Sequence, residues 1–420
     1  VIRAPLYSDT ADEILAPEAI EAPQKIYARL REQAPLARIG ESGVHTVATW
    51  ALVDEALGRE ADFSANLTGV LFRGHDGEPS VFELATGGNA VIATADEPRH
   101  AVHRAAAQPR LDARRTTTPE MEARVRGWTR DALAPWLAAG HGDVVPIAEF
   151  VPALAVAYLL GLPERDVADF RTWSMMGGDI LAGEADSERL TFLARESGNM
   201  GRYLGRHFDA LCEAPDPDPG APLLNALAIA VADGRIDRDE AIGIAIVMFG
   251  AGGESTAALI GSCLRRLAED PALATQLRGE PGLVPRFVEE MVRLEPPFNF
   301  HYRVVRRDCR FGGYDLVAGD RLMLLWASAN RDPAIHDAPD TLRLDRKHPK
   351  KHMGFGRGLH FCIGAPLARL EARVVVEEVL ASTRDLAPLE PERGASAWAR
   401  YAKSIFIRRL EGLDLVAAPA

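Results

Sequence analysis

The chain has 420 residues, 47% hydrophobic and 26% charged, enough to bury a large core and, by length alone, to divide into roughly two or three domains. Its net charge of -12 repels phosphate backbones and anionic lipid surfaces, and no block of Lys and Arg interleaved with aromatics offsets it, so neither a nucleic-acid nor a membrane partner is expected. Cys212, Cys263, Cys309 and Cys362 lie far apart with no CxxC pair, which argues against a disulfide framework or an iron-sulfur cluster and for reduced thiols in the cytoplasm.

Residues 1–11 carry Arg3 but no apolar run, so no secretory signal or membrane anchor is expected there. Residues 36–39 and 45–49 flank Gly40-Glu41-Ser42-Gly43 as the arms of a hairpin would. Most of the remainder reads as helix punctuated by Pro, Gly and Asp, without internal repeats. In residues 213–222, Pro215, Pro217, Pro219 and Pro222 alternate with acids. Apolar helical patterns reach this stretch from both sides, so a surface loop is expected and not a domain boundary.

Residues 241–264 form the longest apolar stretch, with Glu254 as its single charge and Gly243, Gly250, Gly252, Gly253 and Gly261 within it. About 20 apolar residues could span a bilayer. Acids as well as bases flank this stretch, a lone acid at mid-membrane is costly, and no second such stretch exists, so it reads as a central buried helix. The consecutive Gly252 and Gly253 weaken that helix locally. An acid in such surroundings should have a perturbed pKa suited to proton transfer, the alternative being a Glu satisfied by a buried Arg or water. Residues 310–325 hold short strand-like runs around Gly312-Gly313 and Gly319-Asp320.

Residues 355–364 read FGRGLHFCIG. Gly356, Gly358 and Gly364 allow backbone to approach a flat ligand and to turn N–H groups toward a thiolate. Cys362 stands just ahead of a helix with Pro366 in its first turn and an apolar stripe of Leu367, Leu370 and Val374. A helix N-terminus lowers a thiol pKa, whereas a buried structural cysteine would be inert.

Phe355, Gly356, Gly358, His360, Cys362 and Gly364 together resemble the haem-ligand loop of the cytochrome P-450 superfamily. The resemblance implies a mainly α chain: one triangular haem-thiolate domain over residues 1–420 with a small β-sheet region. It implies haem b with iron ligated by the Cys362 thiolate, whose electron donation promotes O–O cleavage, and contacts to the cofactor from Phe355, Gly356, Gly364 and Ala251. The run Ala251-Gly252-Gly253-Glu254-Ser255-Thr256 looks like the family's oxygen-binding kink, which assigns proton delivery to Glu254 and Ser255, with Thr256 beside them. The alcohol following the acid is usually Thr, and the looser rotamer of Ser255 is a departure that puts tight coupling in doubt.

Glu290-Met291-Val292-Arg293, with Arg346, resembles the family's ExxR network. Positions i and i+3 share a helix face, and the group reads as structural support. His100, Arg104, Arg303 and His360 match the positions that bind the haem carboxylates. His100 and His103 alone lack a third ligand for a metal site of their own. By position relative to these motifs, Val247, Gly250, Ala251, Phe298 and Asn299 line the substrate pocket and the loop at residues 67–90 covers it. That lining, apolar with Asn299 as a polar handle, suits an aromatic, terpenoid or similar small lipophilic substrate.

The implied activity is a cytoplasmic monooxygenase that uses O2 to hydroxylate or oxidatively dealkylate such a molecule. The chain has no nicotinamide or flavin motif, so electrons are expected from a ferredoxin and its NAD(P)H-dependent reductase. An acidic ferredoxin would dock on Arg110, Arg114, Arg115, Lys347, Lys350 and Lys351. A peroxide-using member of the family is the first alternative, although such branches usually replace the acid and alcohol pair. A non-enzymatic haem sensor or carrier is the second, and it would need no proton relay. The phosphate-loop, zinc-protease and serine-hydrolase motifs are absent.

Overall fold

In the computed structural model, which describes residues 6–74, 76–84, 90–182, 187–218, 220–389 and 397–419, helices dominate and the strands gather into a few small sheets. Burial of apolar helix faces organises the largest core cluster, with Val145–Leu160 buried nearly all round. The helices Pro119–Ala139, Val145–Leu160, Ser255–Glu269, Val284–Leu294 and Ala365–Ser382 meet there through Trp128, Val151, Leu264, Phe287 and Val375. A second cluster joins Val145–Leu160 to Ser187–Glu213, Leu223–Ala232 and the first half of the central helix. The Pro-rich stretch at 213–222 is the connection between two of these helices, Ser187–Glu213 and Leu223–Ala232.

The central helix runs from Arg238 to Glu269 and is long and apolar enough to cross a membrane, yet half of its most apolar window is buried within the fold. Asp237 caps it: its Oδ1 accepts from Glu240 N at 2.8 Å, and Glu240 Oε2 accepts from Asp237 N at 2.8 Å. Glu240 also pairs with Arg99 and, at 3.1 Å, with His103 Nε2, which ties the start of this helix to Arg99–Leu111. From Phe249 to Glu254 the helix widens into a π segment before resuming its α form at Ser255. Gly250, Gly252 and Gly253 fall within this segment, where they make the insertion of a residue cheap.

The largest sheet orders its strands Leu6–Tyr7, Leu36–Ile39, Val44–Val47, Arg321–Leu324, His301–Val305 and Phe63–Ser64. The early hairpin pairs Leu36 with Val47 and Ile39 with Val44. Arg321–Leu324 joins it in parallel, and His301–Val305 lies antiparallel on the far side, which brings Arg303 opposite Leu322. The covering segment at 67–90 is not a plain loop. Gly69–Arg73 and Pro79–Glu83 form an antiparallel hairpin, because Val70, Leu71 and Phe72 oppose Phe82, Val81 and Ser80 and bury Val70 and Leu71. Tyr302 Oη accepts from Leu71 N at 3.0 Å and pins the hairpin to the sheet. Residues 75 and 85–89 of that segment lie outside the described residues.

Candidate functional site

The cysteine loop is built by its glycines and closed by its backbone. Gly356 and Gly358 take φ of 66° and 71°, left-handed values that a side chain would strain. They turn the chain so that Cys362 N donates to Phe355 O at 2.9 Å. The helix Ala365–Ser382 starts three residues beyond the cysteine with Gly364 as its cap, and the Gly364 and Ala365 N–H groups at that helix start favour the thiolate. Burial nevertheless pushes the Cys362 thiol above its ordinary range, outweighing those N–H groups and the charges of Arg369 and Arg104. The lowered pKa expected from the helix terminus alone is therefore not what the isolated chain shows. Desolvation penalises the anion more than those groups favour it.

At the π segment the residues of the AGGEST run separate by face. Val247, Ala251 and Ser255 are accessible although they lie in the middle of a largely buried helix. Glu254 and Thr256 are buried, at 1% and 3% exposure. Ser255 Oγ donates back to Ala251 O at 2.5 Å. Glu254 instead accepts from Gly178 N at 2.6 Å and from Arg409 Nε at 3.1 Å. Its carboxyl is pushed up to about 8, chiefly by burial, against the opposing pull of Arg409 and the Gly178 N–H. The relay acid and alcohol are thus sequence neighbours whose side chains engage different partners. The carboxylate is satisfied by a buried arginine, as the structural alternative in the sequence anticipated.

The residues expected to bind carboxylates converge on His360. Its ring lies 4.3 Å from that of His100, centroid to centroid, while Arg303 and Arg104 act on it electrostatically. His360 is lowered to about 4 by burial, then by Arg303 and His100, and its Nδ1 is buried without a hydrogen-bond partner. Arg303 donates to Tyr302 O at 2.8 Å and has no carboxylate ion-pair partner among the described residues. Burial lowers it to about 10. Arg104 donates to Phe361 O at 3.1 Å, linking Arg99–Leu111 to the cysteine loop. A cavity of about 260 Å³ opens against Arg303, His360, Arg306 and Leu359. A buried guanidinium with no ion pair among the described residues, although Asp96 and Glu60 act on it from the same cavity, and an orphaned ring nitrogen near it are the donor set that a cofactor with two carboxylates would complete. The residues present fit haem.

Around this centre Glu290 receives Arg293 at 2.8 and 2.9 Å and Arg346 at 2.9 Å. Arg293 also donates to Asn330 O, Pro339 O and Thr341 O, so the group clamps the loop that leads to the cysteine segment. Phe355 stacks under Arg369, 4.4 Å from guanidinium to ring centroid. Phe298 packs on Phe406 at 4.9 Å and on His301 at 5.2 Å. Asn299 is buried, and its Nδ2 donates to Ile405 O at 2.9 Å. The expected polar handle therefore joins two segments of backbone and is not free for a substrate.

Sequence reading missed Arg409, Gly178 and Asp179, which surround Glu254 from two distant segments. The Gly177-Gly178 pair was the available signal, since a Cβ at Gly178 would stand 2.5 Å from Glu254 Oε1. It missed Trp326 as well, whose Nε1 donates to His301 Nδ1 at 2.6 Å.

Comparison with known proteins converges on one family. The family model described as Cytochrome P450 matches residues 216–384. Cytochrome P450 144 of Mycobacterium tuberculosis is 37% identical over 413 residues, covering 96% of this chain and 91% of that protein. The erythromycin C-12 hydroxylase of Saccharopolyspora erythraea is 34% identical over 357 residues, covering 84% and 85%. The crystal structure of CYP109E1 from Bacillus megaterium in complex with testosterone superposes with a TM-score of 0.79 at 27% identity, covering 95% of this chain and 98% of that one.

Proposed function

Because this chain belongs to the cytochrome P450 family and is a monooxygenase whose cofactor is haem b held by a cysteine thiolate, we propose that Cys362 supplies that thiolate within a single domain spanning residues 1–420. The observation that carries the assignment is the cysteine's own setting, with Cys362 N anchored to Phe355 O and the Gly364 and Ala365 N–H groups favouring the thiolate form. Those groups would moderate the thiolate charge, and a bound metal cation would offset the desolvation cost that the thiol suffers.

When bound, the haem supplies the iron at which O2 is activated and from which an oxygen atom passes to a C–H bond of the substrate. Arg303, His360, His100 and Arg104 would hold the cofactor's carboxylates. Ala251 is small and exposed and would leave room beside the cofactor, with Ser255 on the same accessible face. Glu254 stores a proton close to neutral pH, where a relay acid is most effective. Val247, Ala251 and Phe298, the last backed by Phe406, form an apolar wall that excludes water.

The substrate is a small lipophilic molecule, aromatic, terpenoid or similar, that is hydroxylated or oxidatively dealkylated. The named relatives support the lipophilic side of this reading, one a hydroxylase of erythromycin and the other solved with testosterone. Electrons come from a ferredoxin and its NAD(P)H-dependent reductase in the cytoplasm. The cationic Arg104 and Arg114 line one surface pocket beside the exposed Phe361, and Lys347, Lys350 and Lys351 are exposed in the loop before the cysteine segment.

The test is the absorption spectrum of the reduced protein under carbon monoxide, for the native chain and for Cys362→Ser. A strongly red-shifted Soret band that is lost in the variant is expected. A band at the position of histidine-ligated haem in the native chain overturns the ligand assignment.

A further inference from the structure

The covering segment at 67–90 is tied down on either side by the helix Arg99–Leu111 and the residues just ahead of it. Before its start, Asp96 accepts from Ser64 Oγ at 2.5 Å and from Ala65 N at 2.9 Å. Just past its end, Ile92 N donates to His103 Nδ1 at 3.2 Å. Ile92 is the residue in greatest need of such a tie. Its φ of 36° is left-handed, a conformation that a β-branched side chain rarely adopts and that persists only where the surroundings impose it. Ile92 and Val91 are both buried, and among the described residues the Ile92 N–H has no backbone acceptor.

The two hydrogen bonds of His103 fix its tautomer. A backbone N–H can only donate, so Nδ1 is the nitrogen without hydrogen, and Nε2 carries the hydrogen that it donates to Glu240 Oε1 at 3.1 Å. Glu240 is held in turn by Arg99 and by Asp237 N. His103 is 0% exposed, and its ring is therefore a rigid spacer between the start of the central helix and the end of the covering segment. Val91 carries this constraint to the pocket. A Cβ at Gly243 would stand 3.3 Å from Val91 Cγ1 and 3.4 Å from Cγ2, so Val91 packs on the central helix where that helix has no side chain. Gly243 lies about one turn ahead of Val247. Val91 and Ile92 belong to the apolar cluster against which Val247 and Ile363, the neighbour of Cys362, also pack.

We propose that His103 is a positioning residue that sets the size limit of the substrate pocket: by holding Ile92 in its left-handed conformation it keeps Val91 on Gly243 and fixes where the covering segment closes against the wall at Val247. This rests on the reading that Val247 and Ala251 face a substrate beside the haem. Without the acceptor at Nδ1, Ile92 relaxes to an ordinary φ, Val91 leaves Gly243, and the pocket admits larger molecules.

Two substitutions divide the ring into its halves. In His103→Asn the side-chain carbonyl stands where Nδ1 accepts, in His103→Gln the side-chain amide stands where Nε2 donates, and His103→Leu keeps neither. The holoenzymes are compared by hydrogen exchange resolved to the Ile92 amide, and by titration with imidazole, phenylimidazole and biphenylimidazole, whose ligation of the haem iron shifts the Soret band. Exchange at Ile92 should quicken about tenfold in His103→Gln and His103→Leu and stay native in His103→Asn. In the same two variants the affinity for biphenylimidazole should rise relative to that for imidazole, and in His103→Asn the ratio should stay native. Native exchange in His103→Gln and His103→Leu overturns the proposal, and so does His103→Asn behaving as His103→Gln does. Quickened exchange with an unchanged ratio of azole affinities overturns the role in the pocket. If His103→Leu does not fold, the contrast between His103→Asn and His103→Gln decides. The carbon monoxide spectrum should stay thiolate-type in every variant. Its absence from the native chain would remove the functional reading itself, a failure distinct from any change in exchange at Ile92.

Discussion

At the scale of single residues, burial governs the two most deeply enclosed acids, Glu254 and Glu371. Glu254 is raised from its ordinary 4.5 to about 8, and the fully buried Glu371 is raised by the same cause. A carboxyl whose folded pKa exceeds its unfolded value contributes stability in full below the unfolded pKa and loses it as pH rises through the folded one. Glu240 behaves in the opposite sense: hydrogen-bonded by Arg99 above all, it is lowered to about 2, so its contribution is present above 4.5 and lost as pH falls toward 2. Urea denaturation across pH should show resistance falling as pH rises from 4.5 to 8, with the slope on that limb reduced in Glu254→Gln. On the acid limb, Glu240→Gln should lose less than the native protein does. An unchanged alkaline slope in Glu254→Gln would show that its carboxyl is not buried as described. The acid could be read in the sequence as the lone charge of an apolar run. Its counter-ion could not, because Arg409 lies 155 positions away and nothing local distinguishes it from Arg408.

At the scale of elements, the π segment converts a one-dimensional motif into two faces. Ser255 falls on the accessible side and Thr256 on the buried side, so of the two neighbouring hydroxyls that of Ser255 is the more accessible. The helix Val284–Leu294 shows the complementary case, in which spacing was sufficient. Positions three apart placed Glu290 and Arg293 together, and both are buried, at 0% exposure. Removing one member of such a pair leaves an uncompensated buried charge and also unties Asn330, Pro339 and Thr341 from the helix. Arg293→Ala should therefore cost about 3–5 kcal/mol of stability, seen as a large drop in thermal midpoint together with loss of haem retention. Arg293→Lys should recover little of it, since an ammonium cannot reproduce the forked donation to Glu290. The hairpin Gly69–Arg73 with Pro79–Glu83 was read as loop because Gly74, Gly77 and Pro79 dominate its local signal, while its pairing partner is visible only once the turn has closed.

At the scale of the whole molecule, a net charge of -12 coexists with a surface pocket lined by Arg104 and Arg114, where Arg104 also donates to the carbonyl of the exposed Phe361. Arg114 and Lys350 are exposed there and in the adjoining loop. Charge reversal at both, Arg114→Glu with Lys350→Glu, should slow reduction by a ferredoxin and flatten its salt dependence without altering the carbon monoxide spectrum. Stopped-flow reduction across ionic strength measures this, and an unchanged salt dependence would place the docking surface elsewhere. The sequence by itself determined the cysteine loop, the kinked central helix, the ExxR pair and the early hairpin, because each is set by residues within one or two turns of one another, where backbone geometry dictates who meets. Only the tertiary structure decided that Asn299 is consumed by backbone and that Glu254 faces Arg409. Those contacts join segments separated by many residues, and their geometry follows from how helices and sheet pack, to which no local periodicity gives access.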